Sequence, residues 1–129
     1  MAIPVVTSEQ MRTIDQEAAK RGLPTVVLME NAGRSVAEAV QEAFGCPDTR
    51  VLVLAGRGNN GGDGMVAARY LTSWGYRVGA GLLCPGDELK GDAAIHFSVA
   101  RNYGVEVIED ISPDHIDEWV ASADVVVDA

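Results

Sequence analysis

Four short apolar runs, each separated from the next by a segment long enough to form a helix, constrain the fold of this chain more than any other feature. They are residues 50–56, 76–84, 105–110 and 124–129. Runs this short and this rich in valine and leucine are typical of strands buried on both faces. Strands that alternate with helices through short connections form right-handed βαβ units. The sequence therefore predicts an α/β domain with a parallel sheet.

Two further helices are predicted before the first strand. Thr7 is the expected N-cap of the first helix, because Gln10 follows three residues later and can complete a capping box. Gly22 is expected to end that helix, and Pro24 can begin the second one. No internal repeat or low-complexity linker divides the sequence, so residues 1–129 are predicted to form one domain.

Charge and cysteine usage exclude several functional classes. The 19 acidic residues outnumber the 10 basic ones and give a net charge of −9, which disfavours nucleic acid or an anionic membrane as a partner. The chain lacks an apolar run of the roughly 20 residues that a membrane span needs, and its first ten residues do not resemble a secretory signal. Cys46 and Cys84 form no metal-binding motif. A cytoplasmic location is therefore expected.

The position of the fourth predicted strand bears on the extent of the domain. This strand reaches Ala129 with no helix after it, whereas the strands of a parallel sheet are normally followed by crossovers that cover both faces. We therefore expect the domain to continue beyond residue 129.

The glycine-rich stretch LAGRGNNGGDGMVAAR, residues 54–69, is the strongest local motif. It contains a G-x-G-x-x-G match at Gly56, Gly58 and Gly61, between a predicted strand and a predicted helix. A dinucleotide-binding fingerprint also needs an acidic residue at the end of the second strand, but that strand ends in GLLC. A P-loop is excluded because the chain has no G-K-[ST] sequence. The stretch therefore argues against an ordinary pyrophosphate cradle.

Polar side chains in this stretch indicate a different ligand. Asn59 and Asn60 carry amide oxygens, and a tight glycine turn would add main-chain groups, so the segment suits a hard cation or a polar ligand. If the strands are ordered 3-2-1-4, this loop faces the end of the fourth strand, where Asp128 would complete a cation site. The simpler alternatives are that both asparagines are turn residues and that Asp63 is only a helix N-cap.

Three stretches of the sequence together resemble a known protein family. They are MRTIDQEAAKRGLPTVVLMENAGRSVAEA, GRGNNGGDGMVAARYL and LKGDAA. Together they closely resemble the YjeF N-terminal domain family, the NAD(P)H-hydrate epimerases, from about Thr7 to the end of the chain. The resemblance implies a Rossmann-like three-layer αβα sandwich, with a mostly parallel sheet beginning 3-2-1-4 and two helices before it.

The same resemblance implies a function and a set of site residues. The family interconverts the R and S forms of hydrated NADH and NADPH and uses a bound potassium ion. Matching positions imply a substrate-binding segment made of Asn59, Asn60, Gly61, Gly62 and Asp63, and potassium ligands at Asn60 and Asp128. Either carboxylic acid, Asp63 or Asp128, is a candidate for catalysis, as is an acidic residue in the part of the domain expected beyond residue 129.

Partners and alternative functions also follow from the resemblance. The expected partners are the small-molecule hydrates NADHX and NADPHX, a second copy of the chain in a homodimer, and a fused or separate ADP- or ATP-dependent hydrate dehydratase. A scaffold protein that uses the same fold without catalysis is the alternative function. An ordinary NAD-dependent oxidoreductase is the least favoured function, because the acidic residue at the end of the second strand is missing.

Overall fold

A computed structural model describes residues 2–129, which form five α-helices and four strands. In chain order the elements are α1 (Ser8–Lys20), α2 (Thr25–Ala43), β1 (Arg50–Ala55), α3 (Asn59–Ser73), β2 (Arg77–Leu82), a short 3-10 turn (Gly86–Glu88), α4 (Gly91–Asn102), β3 (Glu106–Ile108), α5 (Pro113–Ser122) and β4 (Val125–Asp128). Every strand predicted from the sequence is present, although each is shorter than its apolar run.

The four strands form a single parallel sheet in the order β3-β2-β1-β4, which confirms the predicted order. Val53 in the middle of β1 pairs with Ala80 of β2 on one side and with Val127 of β4 on the other. The chain moves outward from β1 in one direction through β2 and β3 and then returns to the other side of β1. The carboxyl end of β1 is therefore the switch point, where ligands bind in sheets of this kind.

Helices cover both faces of the sheet, which confirms the predicted three layers. A Cβ atom added to Gly64 of α3 would lie 3.1 Å from Cγ1 of Val53, so α3 packs directly on the face to which Val53 points. On the opposite face, a Cβ atom on Gly79 of β2 would lie 3.0 Å from the Trp119 ring of α5. The helices α2 and α4 pack beside α3, so α5 covers its face alone within the described residues.

The two N-terminal helices differ in how they are stabilised. The predicted capping box at the start of α1 is confirmed, because Gln10 N donates to Thr7 Oγ1 at 3.2 Å and Thr7 N donates to Gln10 Oε1 at 2.8 Å. Despite its amphipathic sequence, α1 has no buried residue, whereas α2 buries one face against α3. The buried residues of α2 are Met29, Gly33, Ala37 and Val40. The second helix therefore belongs to the core and the first lies on the surface.

The start of α3 differs from the sequence prediction. A tight glycine turn was expected before the helix, with Asp63 as a possible N-cap, but the helix already begins at Asn59 with Gly58 as its N-cap. The glycines with positive φ lie elsewhere, at Gly22, Gly75, Gly91 and Gly104. Each glycine costs a helix roughly 1 kcal/mol relative to alanine, but here close packing around the first turns outweighs that cost. The interpretation of Asp63 as an N-cap is therefore wrong, because this residue lies inside the helix.

Candidate active site

A cleft of about 540 Å³ opens at the carboxyl edge of the sheet, where the strand order switches. Three parts of the chain line it: the first turns of α1, the stretch from Gly56 into the first turn of α3, and Ala129 after β4. Its lining residues are Ser8, Arg12, Gly56, Gly58, Asn59, Asn60, Gly61 and Ala129. The cleft thus brings together two of the predicted amides with the residue that follows Asp128.

Backbone hydrogen bonds beyond the ends of the strands fix the floor of this cleft. Ala129 N donates to Leu54 O at 2.9 Å, and Gly56 N donates back to Ala129 O at 2.8 Å. On the other side, Leu83 N donates to Ala55 O at 2.9 Å. Because these bonds continue the parallel ladder past the assigned strands, the glycine-rich segment starts at a fixed position beside the end of β4. The prediction that this loop faces the end of the fourth strand is confirmed.

The first turn of α3 presents polar groups at the cleft. Gly58 makes no side-chain cap, and Gly62 N donates to Gly58 O at 3.2 Å. The N–H groups of Asn59, Asn60 and Gly61 have no carbonyl acceptor within the helix, as is usual in a first turn. Both asparagine side chains are exposed. The segment therefore combines main-chain donors with amide groups that can accept or donate.

Glycines allow this turn to pack closely against its surroundings. A Cβ atom on Gly61 would collide with the carbonyl group of Gly56, which is main chain and cannot rotate away. A Cβ atom on Gly62 would collide with Sδ of Met29 and lie 3.2 Å from Cα of Ala93. Gly61 therefore shapes the cleft itself, whereas Gly62 packs against α2 and α4 beneath it.

Asp63 lies one turn into α3, half-buried, and does not line the cleft. Burial raises the pKa of its carboxyl group above the usual 3.8; the positive charge that His96 carries when protonated opposes this shift and the charge of Asp15 adds to it. No side-chain hydrogen bond to this carboxylate is present within residues 2–129. A carboxyl group that is desolvated and lacks a stabilising partner is suited to carry a proton.

Replacing Asp63 by asparagine is expected to stabilise the protein at neutral pH. Because the folded pKa is raised, the ionised carboxylate destabilises the folded state above that pKa, and this penalty disappears as the pH falls below the usual 3.8. The gain of Asp63→Asn should therefore be present at pH 7 and vanish in acid. Urea unfolding at several pH values measures it, and a variant less stable than wild type at pH 7 would contradict this account.

Asp128 ends β4 and is exposed. It pairs with Leu54 in the sheet, and paired residues of parallel strands point to the same face. Leu54 lies on the α5 face, where its Cδ2 atom would be 3.2 Å from a Cβ atom on Gly81. The side chain of Asp128 therefore leaves the sheet on the face opposite α3. Asn60 and Asp128 lie at the same edge of the sheet, but their side chains start from different layers.

The donor atoms at this edge are suited to some cations and not to others. Within the described part of the chain, no group of three or more histidine, cysteine, aspartate or glutamate residues is placed to hold a metal ion. The groups at hand are amide oxygens, main-chain carbonyls and one carboxylate. Such hard, mostly neutral oxygen donors fit a hard cation of low charge and not zinc or copper.

A polar cluster beneath the cleft joins α2, α3 and α4. Glu30 of α2 accepts hydrogen bonds from Arg69 and Tyr70 of α3, and His96 Nδ1 of α4 lies 3.7 Å from the Glu30 carboxylate. The other imidazole nitrogen, His96 Nε2, donates to Val26 O at 3.0 Å. None of these side chains lines the cleft. The cluster therefore stabilises the helical layer that carries the asparagines.

Replacing Glu30 by glutamine is expected to make stability less sensitive to acid. Burial alone raises the pKa of Glu30, but the hydrogen bonds from Arg69 and Tyr70 and the charge of Arg69 bring it below the usual 4.5. A lowered pKa contributes stability above 4.5 that is lost as the pH falls through the folded value. Glu30→Gln should be less stable than wild type at pH 7, and the difference should shrink in acid. At pH 7 the change in stability has the opposite sign to that expected for Asp63→Asn, and both changes shrink in acid. A difference between Glu30→Gln and wild type that is independent of pH would contradict this expectation.

The cleft also contains two residues that the sequence did not indicate. Ser8 and Arg12 of α1 line it, yet they lie more than 40 positions before the glycine-rich segment. Their spacing of four residues places them on one face of α1, which is a local sequence pattern. Only the position of α1 beside the carboxyl edge of the sheet gives that face a role, which the local sequence of α1 does not show.

An open parallel α/β sheet with a polar cleft at its switch point defines a Rossmann-like ligand-binding domain. The family model described as YjeF-related protein N-terminus matches residues 25–129. The chain therefore belongs to the YjeF N-terminal domain family, as the resemblance implied.

Curated relatives and one solved structure agree with this membership. The chain is 40% identical to an NAD(P)H-hydrate epimerase of Rhodopirellula baltica over 83% of this chain and 43% of that protein. It is 40% identical to an NAD(P)H-hydrate epimerase of Pirellula staleyi over 92% of this chain and 53% of that protein. It is 46% identical to a bifunctional NAD(P)H-hydrate repair enzyme of Salinibacter ruber over 76% of this chain and 18% of that protein. The chain thus spans about half or less of the length of these relatives.

The crystal structure of the yeast protein YNL200c superposes with a TM-score of 0.73 at 31% identity. The match covers 89% of this chain and 51% of the yeast chain.

Among residues 2–129, no helix combines the length and the apolar character that a membrane crossing requires.

Proposed function

We propose that this protein epimerises the R and S forms of hydrated NADH and NADPH. The observation that carries the proposal is that the NNGGDG segment, the most specific motif of the chain, begins the helix at the switch-point cleft. Relatives that match most of this chain are named NAD(P)H-hydrate epimerase. The substrates are NADHX and NADPHX, bound by the segment from Asn59 to Asp63.

The proposed cofactor is a potassium ion held by Asn60 and Asp128. Support comes from the donors at this edge, which are amide and carbonyl oxygens with a single carboxylate. When bound, the ion would supply positive charge that orients the polar atoms of the ligand. Because the side chain of Asp128 starts on the α5 face, its carboxylate must turn around the end of β4 to meet Asn60.

The chemistry requires one bond to break and form again. The hydroxyl group on C6 of the hydrated nicotinamide ring leaves as water after accepting a proton, which gives a planar iminium-like carbon. Water then adds to either face and returns the proton, so the step is balanced without an oxidant. The alternative is reversible ring opening at the same carbon. Both routes need a positioned acid and stabilisation of positive charge.

We propose Asp63 and Asp128 as the catalytic carboxyl groups, and their different surroundings support different roles for them. Burial raises the pKa of Asp63, which supports a role as the proton donor. Because Asp63 does not line the cleft, that role requires the ligand or a water molecule to reach its carboxyl group. Asp128 is exposed, and its carboxylate would stabilise positive charge on the ring or on the ion. In activity assays, Asp63→Asn should lower the rate by at least about 100-fold, the usual contribution of a general acid.

Partners and location are proposed on the same basis. Several relatives are named bifunctional repair enzymes, which supports a fused or separate ADP- or ATP-dependent dehydratase as the functional partner. The homodimer and the cytoplasmic location stay predictions from the sequence and its resemblance.

The test is an assay of epimer interconversion on the full-length gene product. Pure S-NADPHX is incubated with the protein, and its conversion to the R form is followed by chromatography against an enzyme-free control, because the epimers also interconvert without a catalyst. The proposal expects acceleration well above the control. A rate equal to the control, in a protein that still binds the hydrate, would favour the scaffold alternative, and hydride transfer to an added acceptor would favour an oxidoreductase.

A further inference from the structure

Arg12 is the only cationic side chain among the described residues that line the cleft. Its guanidinium group forms no salt bridge and no hydrogen bond within residues 2–129. By contrast, Arg21, the C-cap residue of α1, pairs with Glu17 at 3.4 Å, and Arg57 beside the cleft pairs with Glu88 at 3.1 Å. Arg12 therefore faces the cleft with its charge uncompensated, although the chain carries a net charge of −9.

The position of Arg12 is fixed even though α1 contributes nothing to the core. The capping box of Thr7 and Gln10 fixes where the helix starts, and Ser8 and Arg12 follow on one face at a spacing of four residues. Since α1 buries no residue, core packing does not explain why this face meets the cleft.

A guanidinium group beside a hydroxyl group selects an anion with several oxygen acceptors. Arginine binds phosphate through paired, charge-assisted hydrogen bonds, and serine adds a further donor. The substrates named above carry a diphosphate in both NADHX and NADPHX, and a ribose phosphate in NADPHX alone. Resting on the proposed function, we infer that Arg12, together with Ser8, binds a phosphate group of the hydrated dinucleotide while the segment from Asn59 to Asp63 binds its ring.

The experiment compares three variants of the full-length protein with wild type. Arg12→Gln removes the charge, and Arg12→Lys keeps the charge without the paired N–H donors of a guanidinium group. Arg21→Gln is the matched control, an exposed arginine at the C-cap of α1 that pairs with Glu17. For Arg12→Gln, KM should rise about 10-fold, as expected for loss of a charged hydrogen bond, with kcat changed less than twofold. Arg12→Lys should recover part of the loss, and Arg21→Gln should resemble wild type.

The two substrates identify which phosphate is bound. An equal rise in KM for NADHX and NADPHX assigns Arg12 to the diphosphate, whereas a rise for NADPHX alone assigns it to the ribose phosphate. Unchanged KM values for both substrates, or equal changes in Arg12→Gln and Arg21→Gln, overturn the inference.

A second readout does not depend on catalysis. Inorganic pyrophosphate, titrated by calorimetry, should bind wild type and Arg21→Gln but at least about 10-fold more weakly to Arg12→Gln. If the protein proves to lack epimerase activity while this difference holds, the proposed reaction fails and the phosphate site stands. Equal pyrophosphate affinity in all variants overturns the site even where the epimerase activity is present.

Discussion

Gly61→Ala is expected to lower the free energy of unfolding by about 3 kcal/mol, the upper part of the usual range for overpacking. The added Cβ atom would collide with the carbonyl group of Gly56. Gly56 is itself held in place, because its N–H donates to Ala129 O at 2.8 Å. Gly56 cannot move away without straining that bond, and Gly61 cannot move away without shifting the first turn of α3. Urea unfolding followed by circular dichroism measures the loss.

The matched control is Gly58→Ala, the same substitution three positions earlier. Nothing lies within 4 Å of a Cβ atom at Gly58, and its φ of −87° suits any residue. Its cost is limited to the poor N-cap preference of alanine, at most about 1 kcal/mol. Similar losses in both variants would show that the close approach of Gly61 to Gly56 does not determine stability.

Asn60→Ala is expected to lower epimerase activity by about 100-fold, the order that follows removal of one fixed electrostatic contact in an active site. Asn60 lies in the first turn of α3 and its exposed side chain lines the cleft, so little stability should be lost with it. The variant should unfold at the same urea concentration as wild type within error. Steady-state rates at saturating NADPHX separate this effect from weaker substrate binding.

Asn102→Ala is the control for that variant. Asn102 is an exposed asparagine at the end of α4, outside the residues that line the cleft. It should keep wild-type activity. A comparable loss in both variants, or none in Asn60→Ala, would remove Asn60 from the proposed site.

The sheet could be predicted from the sequence because its strands are buried on both faces. Val51, Leu52 and Val53 are almost fully buried, so β1 reads as a continuous apolar run. The strand order followed from the resemblance, and the rule that ligands bind at the switch point then placed the loop after β1 beside the end of β4. The capping box of α1 could also be predicted, because the side chains of Thr7 and Gln10 accept hydrogen bonds from each other's backbone N–H groups, three residues apart.

The start of α3 could not be predicted because the same glycines serve two purposes. Glycine usually marks a turn, but Gly61 and Gly62 are required here by neighbours distant in sequence, namely Gly56 across the loop and Met29 on α2. The place of Asp63 inside the helix depends on the same packing, whereas the approach of Arg12 to the cleft depends on the position of α1 beside the sheet.

The most direct test of potassium-dependent epimerisation is to replace potassium in the epimerase assay. The full-length protein is assayed on S-NADPHX in potassium chloride and then in the chloride salt of an organic cation too large to bind, at equal ionic strength. For wild type we expect acceleration over the enzyme-free rate in potassium and loss of that acceleration in the organic salt. For Asn60→Ala and Asp128→Ala we expect little difference between the two salts. Wild-type acceleration that is equal in both salts would contradict the ion site, and no acceleration in either would contradict the assignment of the activity.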